Sequence, residues 1–360
     1  MMRTNNLLSA ACMLALFSGL FLFPAGLVAE DHPVHPSELT FRPLVYNPPQ
    51  PEDFRVELSN GMIVYIEEDH MLPTLDLSVL IRTGSLYDPV DKVGLAAMTG
   101  SVMRTGGTKS ISGDDLDERL AFLGGAIDTS IGTDSGSASL SMLIKDLDEG
   151  LALFADVLMH PAFEEDKIKL DKDRTLASIK TKNDNPRSLL GREFNKLLYG
   201  DHPLVWEETQ GSIEGITRQD LLDFHDKYFA PNNMILAVAG DFDKKEMLEK
   251  IGKAFAGWPK KKIRFPDIPE VKPKNRPGVF IIQKDINQGY INVGHFGIKD
   301  TNPDKYAIDI MNFILGSGSF TSRITTKVRS DEGLAYNTGC SFANRHLFPG
   351  TFYGYAQTKS

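Results

Sequence analysis

The sequence predicts an α+β protein of two repeated sandwich domains, each a mixed or antiparallel sheet packed with helices, the second incomplete. Three observations carry this expectation. Stretches of period-two alternation are interleaved with stretches of helical period, and several strands are hairpin neighbours, which favours packed α+β layers over a purely parallel sheet. A segment rich in Pro and Lys, 259–277, then breaks the pattern. After it the strand-then-helix order starts again and runs to Ser360. A chain of 360 residues has room for about two domains of that kind.

Taken in order, residues 1–29 open with Arg3 as the only charge and an apolar run from Leu7 to Phe23, followed by Pro24 and Leu27-Val28-Ala29. A positive start, an apolar middle and a small residue before a polar segment describe a secretory signal cleaved after Ala29. The apolar run is long enough that an uncleaved anchor is the alternative. Cys12 as a lipoprotein site is disfavoured, because apolar residues follow it. Residues 30–53, rich in Pro and His, read as an extended lead-in.

The first domain is expected over 54–258. Asn60-Gly61 between Phe54–Leu58 and Met62–Ile66 signals a hairpin, since both turn residues tolerate positive φ. Leu75, Leu77, Val79 and Ile81 alternate as a strand. Helices follow over Gly94–Met103 and Asp114–Leu123, the second stopped by Gly124-Gly125. Ala138, Leu140, Met142 and Ile144 mark a strand, and Leu147, Leu151, Phe154 and Leu158 a helix face. Glu164–Leu198 is charged and helical with a break at Asn185-Pro186. Thr217 caps a helix carrying Leu221, Leu222 and Phe224, Met234–Ala239 is a strand and Lys244–Phe255 a helix. Residues 259–277 read as a solvated linker. The block 278–360 repeats the theme with strands at Val279–Gln283 and Tyr290–Phe296, a helix over Pro303–Leu315 and a strand at Thr351–Ala356. Matching the first domain would take roughly 60–100 further residues, so the sequence reads as a fragment or as a protein with an incomplete second half.

A net charge of -9 with a pI near 5.4 argues against nucleic acid as a partner, because phosphate recognition needs a basic face. With the signal removed, Cys340 is the remaining cysteine, so an internal disulfide is not expected. No segment after the signal reads as a membrane span, so no membrane association is expected of the mature part.

Motifs add a family. Arg82-Thr-Gly-Ser-Leu-Tyr-Asp-Pro89, Val93-Gly-Leu-Ala-Ala-Met-Thr-Gly-Ser-Val-Met103 and Gly106-Gly-Thr108 resemble the segment around the zinc helix of the pitrilysin/insulinase peptidases. Asn185-Pro186, Tyr199-Gly-Asp-His-Pro203, Gly211–Thr217, Tyr228–Asn233 and Val238–Asp241 fall in the family's order. So do Ile314–Arg323 and Gly333-Leu-Ala-Tyr336, and the resemblance spans about 54–360. Catalytic members carry H-x-x-E-H on that helix, with two histidines binding zinc from one face and a glutamate activating the metal-bound water. The matching positions here are Ala97, Gly100 and Ser101. Alanine and glycine bring no ligand atom, and a serine hydroxyl is a poor zinc ligand. The third ligand, a glutamate, would fall near Ser178–Lys180, and 175–183 contains no acidic residue. The expectation is a chain without a metal or cofactor of its own, inactive as a peptidase when alone.

Other chemistry is sparse. His32 and His35 lie in the lead-in, and His70, His160, His202, His225, His295 and His346 stand apart from one another. No G-x-S-x-G elbow occurs, and Gly316-Ser-Gly-Ser319 lacks the lysine and spacing of a phosphate loop. Arg329 and Tyr336 are different. On their own they read as a surface arginine and a packed tyrosine. The resemblance implies instead that Arg329 binds peptide carbonyls and that Tyr336, a neutral phenol at pH 7, donates to the oxyanion of a tetrahedral intermediate. Some members of the family split their active site between two chains, one with the zinc and one with the Arg/Tyr pair. The resemblance thus implies an exported, periplasmic, non-catalytic subunit that binds unfolded peptides beside a homologous zinc-bearing partner. A purely structural or peptide-binding subunit and a self-sufficient metallopeptidase with other ligands are the alternatives, as is a homodimer.

Overall fold

Alternation builds the first sheet. In the computed structural model, which describes residues 43, 45–272 and 277–359, strand β3 (Thr74–Ile81) turns Leu75, Leu77, Val79 and Ile81 inward and Asp76, Ser78 and Leu80 outward. β1 (Arg55–Glu57), β2 (Ile63–Glu68), β4 (Ala126–Ile131), β5 (Gly136–Leu143) and β6 (Met234–Gly240) complete a six-stranded sheet ordered β1-β2-β6-β3-β5-β4. All pairings are antiparallel except β2–β6, where Ile63 lies beside Ile235. This is the mixed α+β layering the sequence predicts. The expected signal at 1–29, Cys12, His32 and His35 fall outside the described residues.

The loop between β1 and β2 differs from the expected two-residue turn. Only Gly61 takes a positive φ, at 82°, and the amide of Leu58 donates to the carbonyl of Met62 to close a wider loop. Asn60 instead donates its side-chain amide to the Phe255 carbonyl, tying the loop to the end of a distant helix. Before β1, residues Pro51–Phe54 wind into one helical turn, α1, where an extended lead-in is expected. Pro at its first position and Glu52 and Asp53 in its first turn suit a helix start.

Helices α2 (Leu95–Thr105), α3 (Gly113–Leu123), α4 (Leu147–Met159), α5 (Glu165–Thr181), α7 (Gln210–Gly215), α8 (Arg218–Tyr228) and α9 (Lys244–Ala254) contribute buried side chains to the core against the first sheet, while α6 (Pro186–Tyr199) turns to the second sheet. Five of the eight starts are capped by side-chain oxygens. Ser112 caps α3, Asn185 α6 and Asp243 α9, while Thr217 and Asp220 close a reciprocal capping box on α8. Phe154, Phe163, Phe229 and Phe255 fill the core between layers with no solvent exposure.

The second sheet is smaller: β7 (Gln288–Phe296), β8 (Ala335–Ala343) and β9 (Thr351–Lys359) pair antiparallel in the order β7-β9-β8. Helix α10 (Lys305–Asn312) runs on into wider π-helical turns at Phe313–Ser317, and a second π-helical stretch covers Thr325–Asp331. α6 packs across one sheet face: Phe194 meets Tyr353 at 5.7 Å, Tyr199 meets Phe296 edge-on at 5.2 Å, and the Tyr199 hydroxyl donates to the Pro349 carbonyl. The strand expected at Val279–Gln283 is not formed. Val279, Phe280, Ile281 and Ile282 lie exposed without a paired neighbour, and β-propensity has nothing to act on where no strand lies alongside.

Candidate functional site

Helix α2 carries the degenerate positions. Its start is held by Asp88, whose carboxylate accepts from the amides of Gly94 and Ala96, both at 2.9 Å. Burial pushes the Asp88 carboxyl up to about 7 against the pull of those amides, and nearby Glu208 is pushed up by burial as well. Ala97 and Ser101 are exposed on one face, one helical turn apart, and Gly100 is buried against the sheet. The Ser101 hydroxyl donates to Asp171 of α5 at 2.6 Å, and the Gly100 carbonyl accepts from Thr129 of β4 at 2.7 Å.

These residues do not fit zinc. A Cβ placed on Gly100 would lie 2.3 Å from the Ile131 nitrogen and 2.7 Å from the Ser130 carbonyl carbon, so the helix sits too close to β4 for any side chain there. Ala97 offers a methyl group, Ser101 spends its hydroxyl on Asp171, and Ser178–Lys180 supplies no carboxylate. Among the described residues, no three His, Cys, Asp or Glu side chains converge as a metal-binding group. The six described histidines are each engaged locally: His70 with Asp241, His160 with Asp156, His202 with the Pro269 carbonyl, His225 with the Leu158 carbonyl, His295 with the Phe296 carbonyl and His346 with Asp300.

The second lobe is different in kind. Arg329, from the π-helical stretch, and Tyr336, from β8, are brought together: the guanidinium lies 4.5 Å from the Tyr336 ring centroid and 4.5 Å from that of Phe320. Tyr336 sits in a β-bulge, as the unpaired residue between Ala335, opposite Thr358, and Asn337, opposite Gln357. The bulge takes it out of the alternation and leaves it 78% exposed. Both residues line a cavity of about 590 Å³. Its floor is one sheet face, where Tyr290, Asn292, Tyr353, Tyr355 and Gln357 stand side by side through the β7–β9 register, and α6 forms a wall with Arg187, Leu190 and Gly191. Gly316 belongs to the packing rather than to a phosphate cradle, since a Cβ there would lie 2.5 Å from the Cys340 nitrogen. Burial raises the Cys340 thiol above its ordinary value, which suits a packing residue.

Sequence reasoning missed Arg187, Phe320 and the tyrosine-lined floor. The floor was findable: alternation over 290–296 and 351–357 puts its residues on one face. Arg187 was not, because nothing local says that α6 will pack on a sheet about a hundred residues away.

An α+β fold with a helix that offers no zinc ligands at Ala97, Gly100 and Ser101, and with Arg329 and Tyr336 together on a second lobe, has the features of a zinc-peptidase-type chain without its metal site. Residues 63–205 match the model of the insulinase (peptidase family M16) domain and residues 215–360 that of the peptidase M16 inactive domain. The chain belongs to peptidase family M16. It is 26% identical over 312 residues to an uncharacterized zinc protease of Rickettsia bellii, covering 85% of this chain and 74% of that protein. It is also 26% identical over 301 residues to the non-peptidase homolog YmxG of Helicobacter pylori, covering 82% and 68%. Among solved structures, the peptidase M16 inactive domain from Pseudomonas fluorescens superposes with a TM-score of 0.77 at 27% identity over 85% of this chain and 74% of that one. The periplasmic protease PqqL of Escherichia coli shares the fold, with a TM-score of 0.70 at 16% identity over 85% and 35%. The family and its inactive-type members are thus where this chain falls.

Proposed function

We propose that this chain is the non-catalytic subunit of an exported zinc peptidase, binding unfolded peptides and stabilising the transition state for a homologous partner that supplies H-x-x-E-H. The observation that carries the reading is the combination of an α2 helix closed to zinc with Arg329 and Tyr336 held together on the rim of an open cavity. Arg329 makes no ion pair or hydrogen bond among the described residues, and stacking on two rings consumes none of its N–H donors, so these are available to peptide carbonyls. In this reading the Tyr336 phenol, which is exposed, donates to an oxyanion developing at the partner's reacting carbonyl. Periplasmic localisation is part of the same proposal, and its support is the signal-like start of the sequence.

The test is reconstitution. The purified chain is expected to show no peptidase activity and no stoichiometric zinc, and to activate a homologous H-x-x-E-H subunit on mixing. Removing one oxyanion donor typically costs about 10²–10³ in kcat, so Tyr336→Phe in the mixture should fall toward that range with KM little changed. Arg329→Ala should raise KM. An effect of Tyr336→Phe on KM alone would reduce the role to binding. Tightly bound zinc in the isolated chain, or reconstituted activity indifferent to both substitutions, would overturn the reading.

A further inference from the structure

The charge of the cavity is at odds with the charge of the protein. The chain carries -9 overall, yet the residues lining the cavity include two charged groups, Arg187 and Arg329, and no Asp, Glu or Lys. Four other arginines are paired with acids, Arg55 with Glu57, Arg104 with Asp117, Arg119 with Glu149 and Arg192 with Glu207, and Arg218 is spent on the Ala162 and Phe163 carbonyls. Neither cavity arginine has such a partner among the described residues. Arg187 is instead positioned by a neutral group. Its guanidinium donates to Gln357 Oε1 at 3.1 Å, while the Gln357 amide reaches the Tyr290 hydroxyl at 3.3 Å. A glutamine orients the guanidinium without cancelling its charge, and two guanidiniums across a tyrosine-lined floor suit a planar anion.

We propose that the cavity selects peptide segments bearing a carboxylate, with Arg187 as the residue that recognises it while Arg329 holds the peptide backbone. The carboxylate comes from an Asp or Glu side chain or from a peptide C-terminus; the chemistry is the same. A phosphate ligand is disfavoured, because the cavity has no lysine and its glycine turn at Gly316 is packed against β8. The inference rests on the peptide-binding reading above and adds a preference to it.

The experiment uses the full chain and three short labelled peptides of neutral sequence, followed by fluorescence anisotropy. One has a single internal Glu and an amidated C-terminus, the second has Gln in its place, and the third is the Gln peptide with a free C-terminal carboxylate. The Glu peptide should bind about tenfold more tightly than the amidated Gln peptide, the scale of one charge-assisted hydrogen bond. The advantage should shrink with salt, fall to about twofold or less in Arg187→Gln, and survive only in part in Arg187→Lys, which keeps the charge but not the planar fork. Arg187 is exposed, and thermal melts of both variants should match the parent. Preference for the third peptide alone would assign the site to a chain terminus. Equal binding of all three peptides would sink the carboxylate preference and leave peptide binding standing. Binding of none would sink both. Displacement of the Glu peptide by inorganic phosphate beyond the effect of equal ionic strength would make this a phosphate site and overturn the proposal.

Discussion

Helix α2 and the Arg329 cavity, the two regions that the proposed function calls on, are built in opposite ways. At α2 the positions that elsewhere hold metal are filled by contacts: Gly100 lets the helix settle onto β4, Ser101 bonds Asp171, and Asp88 ties down the helix start. At the cavity the polar groups are left open. Arg329 is stacked but, among the described residues, not paired, Tyr336 is lifted out of its strand by a bulge, and Arg187 is oriented by a neutral glutamine. Close packing at α2 leaves no unused polar pocket, which would cost stability. The cavity has not closed, and an open charged cavity that is kept open is the better pointer to function.

The largest effect should come from reopening α2. Gly100→Ala places a Cβ against backbone atoms of β4 that have no rotamer to move, and overpacking of this kind costs about 1–3 kcal/mol. Ala97→His, at an exposed position, should cost within about 0.5 kcal/mol. The triple change Ala97→His, Gly100→Glu and Ser101→His rebuilds the motif on paper, yet should be less stable than Gly100→Ala in urea unfolding and should not hold zinc stoichiometrically. A triple variant as stable as the parent with one bound zinc would break the comparison at its first term.

The same contrast explains what was legible in the sequence. A strand with clean alternation, Leu75–Ile81, declared both its existence and its buried face, because burial on one side of a sheet writes period two into composition, whereas the all-apolar Met234–Gly240 declared a strand but not which face is buried. The missing ligands at Ala97, Gly100 and Ser101 were equally plain, since the identity of a side chain settles whether it has a donor atom. What was hidden is everything that depends on tertiary placement. β4 (Ala126–Ile131) reads as a weak Asp/Thr/Ser stretch and becomes a strand because β5 and α2 lie against it. Val279–Gln283 has the better strand composition and forms none. That Gly100 is a packing residue and Tyr336 a bulge residue follows from neighbours far away in the chain.

A smaller effect separates the regions by pH. His225 lies in the first lobe, stacked on Phe229 at 4.5 Å with Nε2 2.9 Å from the Leu158 carbonyl, and burial pushes its pKa from 6.5 down to about 4. Above pH 6.5 the imidazole is neutral in both folded and unfolded chains and has no effect on the balance. As the pH falls from 6.5 toward 4 the unfolded chain takes up a proton that the folded chain refuses, so stability is lost across that window. The loss at pH 5 should be on the order of 1–2 kcal/mol relative to pH 7. His225→Gln keeps a donor for Leu158 and should flatten the urea midpoint between these pH values. If the parent is as stable at pH 5 as at pH 7, the closed packing assigned to this lobe is wrong.

The smallest effect on stability belongs to Arg329, and it sharpens the comparison most. Its guanidinium contacts the exposed rings of Phe320 and Tyr336, and such cation–π contacts at exposed sites are worth about 0.5–1 kcal/mol. Arg329→Ala should therefore lower the urea midpoint only slightly, while Phe320→Ala, which removes one of the two stacking rings, should do about the same. Peptide affinity should respond quite differently. Arg329→Ala removes the donors outright, whereas Phe320→Ala leaves them in place but less well positioned, so binding should weaken in both and more in the first. A residue kept for stability would show the reverse, a clear drop in midpoint with peptide affinity intact. The sign of that difference decides whether the second half of this site is retained for binding or is only the packing that remains where chemistry used to be.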